Sequence, residues 1–124
     1  MPKKVLVVED EIDAAKVLVK RLQTQGFEVI LAVDAYQGTA FINREKPDVV
    51  ILDLMLPAGG GASVLKNVRS NVTVAYTPII ILTGIRDEKI KEEMLNQGVD
   101  AYIEKPYDAD NLIAKINEVL NKKG

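Results

Sequence analysis

Acidic residues follow two of the apolar runs in this sequence. Glu9 and Asp10 come directly after residues 5–8. Asp53 comes directly after residues 49–52. If these runs are neighbouring strands of a parallel sheet, their carboxyl ends bring the carboxylates into one cleft. Carboxylates that close repel one another, and a small hard cation such as Mg²⁺, which takes oxygen ligands, removes the conflict. The cluster therefore predicts a divalent metal site.

A hydroxyl and an amine follow two further strand-like segments. Thr83 comes after residues 79–82, and Lys105 comes after residues 101–104. At the same sheet edge they would supply a hydrogen-bond donor and a positive charge, which suit phosphoryl oxygens. A carboxylate is itself able to attack phosphorus and form an aspartyl phosphate, and Asp53 is the candidate nucleophile. Phosphoryl transfer depends mainly on positioning and charge neutralisation, so it needs no His or Cys base.

Each of these residues has a simpler structural interpretation when it is considered singly. Glu9 and Asp10 could complement the dipole of a following helix, Thr83 could satisfy a local backbone group, and Lys105 could be a solvated surface residue. These interpretations do not explain why all of them follow strands. Their joint position favours a functional site.

Composition narrows the classes of function. The 124 residues, 48% hydrophobic and 27% charged, suit one globular domain spanning 1–124. Sixteen basic against 18 acidic residues give a net charge of −2, which argues against direct nucleic-acid binding. The absence of Cys and His excludes disulfides, thiolate nucleophiles and a Ser-His-Asp triad. Because no apolar run approaches the ~20 residues of a membrane span, we expect a soluble, cytoplasmic protein without membrane partners.

Hydrophobic periodicity predicts five strands that alternate with five helices. The strands are residues 5–8, 28–32, 49–52, 79–82 and 101–104. The helices are residues 12–25, a segment from the Asp34 cap to about Glu45, about 62–71, 87–97, and a last helix capped by Asp108. Wholly apolar strands are typical of a parallel sheet covered on both faces, so the fold class is α/β.

The chain resembles the response-regulator receiver domains of bacterial two-component signalling from Lys3 to about Leu120. That family has an acidic pair after the first strand and an Asp after the third, followed four residues later by Pro and eight later by Gly. It also has a Ser or Thr plus a small residue after the fourth strand, and Lys-Pro after the fifth. The corresponding residues here are Glu9-Asp10, Asp53 with Pro57 and Gly61, Thr83-Gly84 and Lys105-Pro106.

The resemblance implies a flavodoxin-like (βα)5 three-layer sandwich with strand order 2-1-3-4-5. It also implies a phosphorylation-dependent signalling switch, not a turnover enzyme, in which Asp53 accepts a phosphoryl group from a sensor histidine kinase or phosphotransfer protein. Thr83 and Lys105 would bind the phosphoryl oxygens, and the Lys105-Pro106 bond would be cis. Mg²⁺ or Mn²⁺ would be held by Glu9, Asp10, Asp53 and the backbone carbonyl of Met55.

The same resemblance assigns a switch role to Tyr102 on the fifth strand. Thr83 would move towards the phosphoryl group, and Tyr102 would turn into the vacated space and reshape the face of the fourth helix, fifth strand and fifth helix. That face would meet a downstream protein target, an output domain outside this chain, or a second copy in a homodimer. In the family, the positions two residues beyond Asp53 and Thr83 flank the phosphorylation site and influence hydrolysis there. Met55 and Ile85 occupy these positions here, and because neither side chain is able to orient a water by hydrogen bonding, we expect slow self-dephosphorylation.

Three alternatives stay open. A phosphate-independent, receiver-like interaction module would have no reason to keep repelling carboxylates together. A haloacid-dehalogenase-like phosphatase would have an Asp-x-Asp motif at its nucleophile. This sequence has Asp53-Leu54-Met55, with Met55 in place of the second acid. A flavin-binding flavodoxin would suffer repulsion between three acids and the flavin phosphate.

Overall fold

Five parallel strands and five helices alternate in the computed structural model, which describes residues 2–57 and 59–123. The strands are β1 (Lys4–Val8), β2 (Glu28–Ala32), β3 (Val49–Leu52), β4 (Ile79–Thr83) and β5 (Ala101–Glu104). The helices are α1 (Ile12–Thr24), α2 (Ala35–Glu45), α3 (Gly60–Arg69), α4 (Glu88–Asn96) and α5 (Ala109–Lys123). All strand pairs are parallel, and their order is β2-β1-β3-β4-β5. The predicted flavodoxin-like α/β fold is confirmed.

The sheet separates two apolar layers. In β1, Leu6 and Val8 pack with residues of α2, α3 and α4, whereas Val5 and Val7 pack with residues of α1 and α5. Both faces of the central strands are therefore buried, which is why their sequences are apolar without alternation. Burial of these side chains supplies the main driving force that holds the helices against the sheet.

The helix ends follow local side-chain chemistry. Asp34 caps α2 by accepting a hydrogen bond from the Gln37 N–H at 2.7 Å, and Gln37 accepts in return from the Val33 N–H at 3.0 Å. Asp87 and Asp108 accept from backbone N–H groups in the first turns of α4 and α5. The predicted caps at Asp34 and Asp108 are confirmed, whereas Asp87, predicted as the first residue of the fourth helix, caps it instead.

The third helix differs from its predicted range of 62–71. It begins two residues earlier, at Gly60, and ends two residues earlier, at Arg69. Gly59 precedes it with φ of 103°, a left-handed conformation that glycine adopts without strain. Since glycines are poor helix formers, the sequence could not show that the glycine run forms the first turn of this helix.

Two aspartates fix neighbouring strands at their amino ends. Asp48, just before β3, accepts a hydrogen bond from the N–H of Lys4, the first residue of β1, at 2.7 Å. Asp100, just before β5, accepts from the N–H of Ile79, the first residue of β4, at 3.0 Å. Each aspartate therefore satisfies the backbone donor of the first residue of a neighbouring strand.

Across the part of the chain that the structure describes, none of the helices combines the length and apolar character needed to cross a membrane.

Candidate functional site

The candidate site lies where β1, β3, β4 and β5 end. Three polar side chains are buried here, with Glu9 at 7%, Asp53 at 6% and Thr83 at 0% exposure. They adjoin an open depression of about 470 Å³ whose walls are Glu9, Asp10, Glu11, Asp53, Met55, Gly84 and Lys105. The structure thus brings the three predicted acids to one depression, as parallel neighbouring strands require.

Donors from different elements orient the carboxylate of Asp53. Its Oδ1 accepts hydrogen bonds from the Thr83 hydroxyl at 2.8 Å and the Met55 N–H at 2.9 Å. Its Oδ2 accepts from the Lys105 ammonium at 2.9 Å. The Asp53 backbone N–H donates to the Val8 carbonyl at 3.1 Å, which ties it to β1. The side chain is therefore fixed by the loop after β3, by β4 and by the residue after β5.

Lys105 joins the two buried acids. Its ammonium forms an ion pair with Glu9 as well as with Asp53, and its side chain is 27% exposed. Partial burial lowers the pKa of Lys105, but hydrogen bonds to Glu9 and Asp53 outweigh this effect and leave the pKa above its ordinary value. Lys105 therefore carries its positive charge at neutral pH.

The pKa of Glu9 is raised above its ordinary value. Burial is the largest cause, the Lys105 ammonium opposes it, and the negative charge of Asp53 adds a smaller upward contribution. The direction agrees with the repulsion between crowded carboxylates that the sequence predicts at this site. The physical cause is mainly the loss of hydration and only secondarily repulsion between acids.

The donor chemistry of the depression suits a hard cation. Glu9, Asp10, Asp53 and the carbonyl of Met55 would offer only oxygen ligands, as Mg²⁺ prefers. Among residues 2–57 and 59–123, no three acidic side chains are close enough together to enclose a metal ion. Lys105 bridges Glu9 and Asp53, and Asp10 is exposed. The residue types fit Mg²⁺, and binding would require these side chains to rearrange.

A chain of hydrogen bonds leads from Asp53 to Tyr102. The Thr83 hydroxyl donates to Asp53 and accepts from the Ile85 N–H at 3.4 Å. The Tyr102 hydroxyl donates to the Ile85 carbonyl at 2.8 Å. Tyr102 is half-buried and packs with Ile85 against the apolar layer beneath α4. The predicted switch residues are thus connected through the backbone of Ile85, a residue for which the sequence predicted only an effect on dephosphorylation and not this linking role.

Gly61 permits a close approach behind Asp53. A Cβ atom on Gly61 would lie 2.3 Å from the Asp53 carbonyl oxygen and 2.7 Å from Leu54 Cα. The Gly61 N–H also donates to the Leu54 carbonyl at 3.0 Å. Any side chain at this position would displace the backbone that carries the carboxylate.

The segment after β5 has two features beside Lys105. The Lys105–Pro106 peptide bond is cis, as the family resemblance implies. The Arg86 guanidinium donates to the Lys105 carbonyl at 2.6 Å. Sequence reasoning did not identify Arg86, although its position three residues after Thr83, in the loop that leaves β4, was an available indication.

This fold and site define a flavodoxin-like α/β domain with an acidic centre at the carboxyl edge of its sheet. The chain belongs to the response regulator receiver domain family, whose model matches residues 5–117. Members of this family are switches of two-component signalling, not turnover enzymes, and they generally bind Mg²⁺ at the acidic pocket.

Relatives of known identity support this assignment. The sensory transduction protein RegX3 of Mycobacterium tuberculosis is 40% identical over 120 residues, which cover 97% of this chain and 52% of RegX3. The probable transcriptional regulator ycf27 of Porphyridium aerugineum is 37% identical over 119 residues, which cover 96% of this chain and 48% of ycf27. The chain therefore spans about half the length of these relatives.

Solved structures agree in fold and extent. The receiver domain of the Francisella response regulator 1452 superposes with a TM-score of 0.91 at 31% identity, covering 98% of this chain and 99% of that domain. The chemotaxis response regulator CheY4 of Vibrio cholerae gives a TM-score of 0.88 at 29% identity, covering 96% of this chain and 99% of CheY4.

Proposed function

We propose that this chain is a phosphorylation-dependent switch whose phosphoacceptor is Asp53. The phosphoryl donor is a phosphohistidine on a sensor histidine kinase or a phosphotransfer protein. The observation that carries the proposal is the buried Asp53 carboxylate, which is held by Thr83, Lys105 and the Met55 N–H at the edge of an open depression. A carboxylate fixed in this way is positioned as a nucleophile and remains accessible to a partner.

The transfer step needs no proton removal from the nucleophile. One carboxylate oxygen of Asp53 forms a bond to phosphorus while the bond between phosphorus and the histidine nitrogen breaks. The electron pair of the broken bond stays on that nitrogen. Because charge on the phosphoryl oxygens must be balanced during transfer, the Lys105 ammonium and the Thr83 hydroxyl lie suitably close to Asp53.

The oxygen ligands at the site suit Mg²⁺ or Mn²⁺. Glu9, Asp10, Asp53 and the Met55 carbonyl would hold the ion, with Glu9 acting through a water molecule. When bound, the ion supplies positive charge that offsets the charge of the acids and of the phosphoryl group. Lys105 would then exchange an acid partner for a phosphoryl oxygen, since its ammonium is shared between Glu9 and Asp53.

We further propose that phosphorylation is transmitted through Thr83 and Tyr102. A phosphoryl group on Asp53 would take the hydroxyl of Thr83 as a donor, and Thr83 is linked through Ile85 to Tyr102. The resulting change in packing would alter the face formed by α4, β5 and α5. That face would bind a downstream protein target, an output domain, or a second copy of the chain.

Intact mass spectrometry after incubation with Mg²⁺ and acetyl phosphate tests the proposed function. Wild type should gain one phosphoryl group, and excess EDTA should abolish the gain. Asp53→Asn should gain none, since an amide is a poor nucleophile. Asp110→Asn, which removes an exposed acid from α5, is the matched control and should behave as wild type.

Other outcomes would contradict the proposal in distinct ways. An adduct that persists in Asp53→Asn would place the phosphoacceptor elsewhere. Rapid consumption of acetyl phosphate without a lasting adduct would favour a phosphatase. If neither acetyl phosphate nor a phosphorylated histidine donor gives an adduct, the chain is a phosphate-independent interaction module.

A further inference from the structure

Arg86 makes a contact that the proposed switch does not use. It lies in the loop between β4 and α4, and its Nη2 donates to the backbone carbonyl of Lys105 at 2.6 Å. The bond joins this loop to the segment that follows β5. A guanidinium that donates to a carbonyl is a charge-assisted hydrogen bond, which is stronger than one between neutral groups.

The peptide groups of Lys105 are held from two sides. Its N–H donates to the Thr83 carbonyl at 2.8 Å, and its carbonyl accepts from Arg86. The first bond continues the sheet ladder, whereas the second depends on a side chain. The Lys105 ammonium lies at the end of a flexible four-carbon side chain where it contacts Glu9 and Asp53. The position of the ammonium therefore depends on where the Lys105 backbone is fixed.

The loop that carries Arg86 is itself anchored on both sides of that residue. On one side, the Ile85 carbonyl accepts from the Tyr102 hydroxyl at 2.8 Å. On the other, Asp87 caps α4 by accepting from the N–H groups of Lys89 and Ile90 at 2.9 and 3.3 Å. The backbone of Arg86 is therefore ordered before its side chain binds, which reduces the entropy lost on fixing the guanidinium.

We propose that Arg86 is a positioning residue that fixes the Lys105 backbone and thereby holds the lysine ammonium at Asp53. Arg86 acts through Lys105 and does not itself touch the reacting carboxylate. The effect on phosphorylation rests on the proposed function of Asp53. The effect on the placement of the lysine does not.

Site-resolved reductive methylation tests the placement of Lys105 directly. Formaldehyde with a borohydride reductant labels lysine amines, and peptide mass spectrometry measures the rate at each one. In Arg86→Met we expect Lys105 to be labelled at least about twofold faster than in wild type, because its ion pairs open more often. Lys89→Met removes one exposed positive charge nearby and should leave Lys105 labelling unchanged. Equal labelling of Lys105 in both variants would overturn the proposal.

Phosphorylation by acetyl phosphate provides the second measurement. We expect Arg86→Met to slow the appearance of the Asp53 adduct by about two- to tenfold, the factor that one hydrogen bond of ordinary net strength contributes. Lys89→Met should keep the wild-type rate. In a Lys105→Met background, adding Arg86→Met should have no further effect. An equal effect of Arg86→Met with and without Lys105 would show that Arg86 acts by another route.

The two measurements separate this inference from the proposed function. If wild type forms no adduct, the function assigned to Asp53 fails, while the methylation rate of Lys105 still decides the role of Arg86. If wild type forms the adduct and Arg86→Met changes neither rate, only the role of Arg86 fails.

Discussion

Thr83 and Tyr102 bind the two polar backbone groups of a single residue, Ile85. Thr83 accepts from the Ile85 N–H at 3.4 Å, and Tyr102 donates to the Ile85 carbonyl at 2.8 Å. Movement of either side chain therefore changes the environment of the same backbone segment. This arrangement gives the proposed switch a physical connection from the acidic depression to β5.

A double-mutant cycle should detect the connection between Thr83 and Tyr102. We expect Thr83→Val, which removes two hydrogen bonds, and Tyr102→Phe, which removes one, each to lower the free energy of unfolding by about 0.5–2 kcal/mol. The double variant should depart from additivity by about 0.5 kcal/mol or more in urea unfolding. Tyr36→Phe, at an exposed position, is the control and should be additive with Thr83→Val. Additivity in both pairs would contradict the connection.

Gly61→Ala should be strongly destabilising. Its Cβ would overlap the Asp53 carbonyl oxygen at 2.3 Å, so the backbone behind the phosphoacceptor must shift. We expect a loss of about 2 kcal/mol or more in the free energy of unfolding and a slower phosphorylation of Asp53. Gly84→Ala is the matched control, because a Cβ there meets only the Met55 sulfur at 3.9 Å. Equal stability of the two variants in urea would contradict this prediction.

Arg69 connects the end of α3 to two loops through four backbone carbonyls. Its guanidinium donates to carbonyls at 2.9–3.3 Å, which belong to Ala75, Thr77, Gln97 and Gly98. We expect Arg69→Met to lower the free energy of unfolding by about 1–3 kcal/mol. Arg69→Lys should recover little of this loss, because an ammonium lacks the forked geometry of the guanidinium.

The control for Arg69 is Lys66→Met, which removes an exposed positive charge from the same helix. Its free energy of unfolding should stay within about 0.5 kcal/mol of wild type. Full recovery of stability by Arg69→Lys would indicate that charge alone, and not the set of hydrogen bonds, accounts for the effect.

Tyr102 should ionise at higher pH than an ordinary tyrosine. Burial raises its pKa, and the negative charges of Glu104 and Asp87 raise it further. The folded state therefore favours the protonated phenol. The protonated Tyr102 phenol contributes stability that is fully present below the pKa of about 10 that a tyrosine has in the unfolded chain. This contribution is lost as pH rises through the higher pKa of Tyr102 in the folded chain. An ultraviolet titration of wild type minus Tyr102→Phe should show the Tyr102 phenolate forming above pH 10. A midpoint at or below that pH would contradict the prediction.

The aspartyl phosphate should be long-lived. Met55 is 60% exposed and lines the depression, but a thioether is a poor hydrogen-bond partner for an attacking water. We expect Met55→Asn to accelerate loss of the phosphoryl group. Intact mass spectrometry after removal of the donor measures this loss over time. Met55→Leu should keep the slow rate. Decay of the wild-type adduct within seconds, unchanged by Met55→Asn or Ile85→Glu, would contradict this expectation.

Much of the fold could be predicted because local and tertiary preferences agree. Residues 49–52 are uniformly apolar since both faces of β3 are buried, and Asp34 caps α2 through its own neighbourhood in the sequence. The gathering of Glu9, Asp53 and Lys105 at one edge followed from the parallel order of the strands. These features depend on residue type and strand order alone.

Other features depend on distances that sequence spacing does not fix. The sequence predicted that Lys105 binds phosphoryl oxygens, but not that its ammonium joins Glu9 to Asp53. It contained Arg69 and Arg86 without indicating which carbonyls they reach. Long side chains choose partners among groups brought together by the tertiary fold, so their contacts cannot be derived from periodicity.

The aspartates at the amino ends of the strands have a consequence at the opposite edge of the sheet. In three strands, the residue at the amino end and the site residue at the carboxyl end lie five residues apart. The pairs are Lys4 and Glu9, Asp48 and Asp53, and Asp100 and Lys105. At ~3.3 Å per residue, each strand carries the alignment set at one end to the other, ~16 Å away. A slip by one residue would turn every side chain of the strand to the opposite face. We therefore expect the accuracy with which the phosphoacceptor meets its lysine to depend in part on the edge of the sheet that lies opposite the acidic depression.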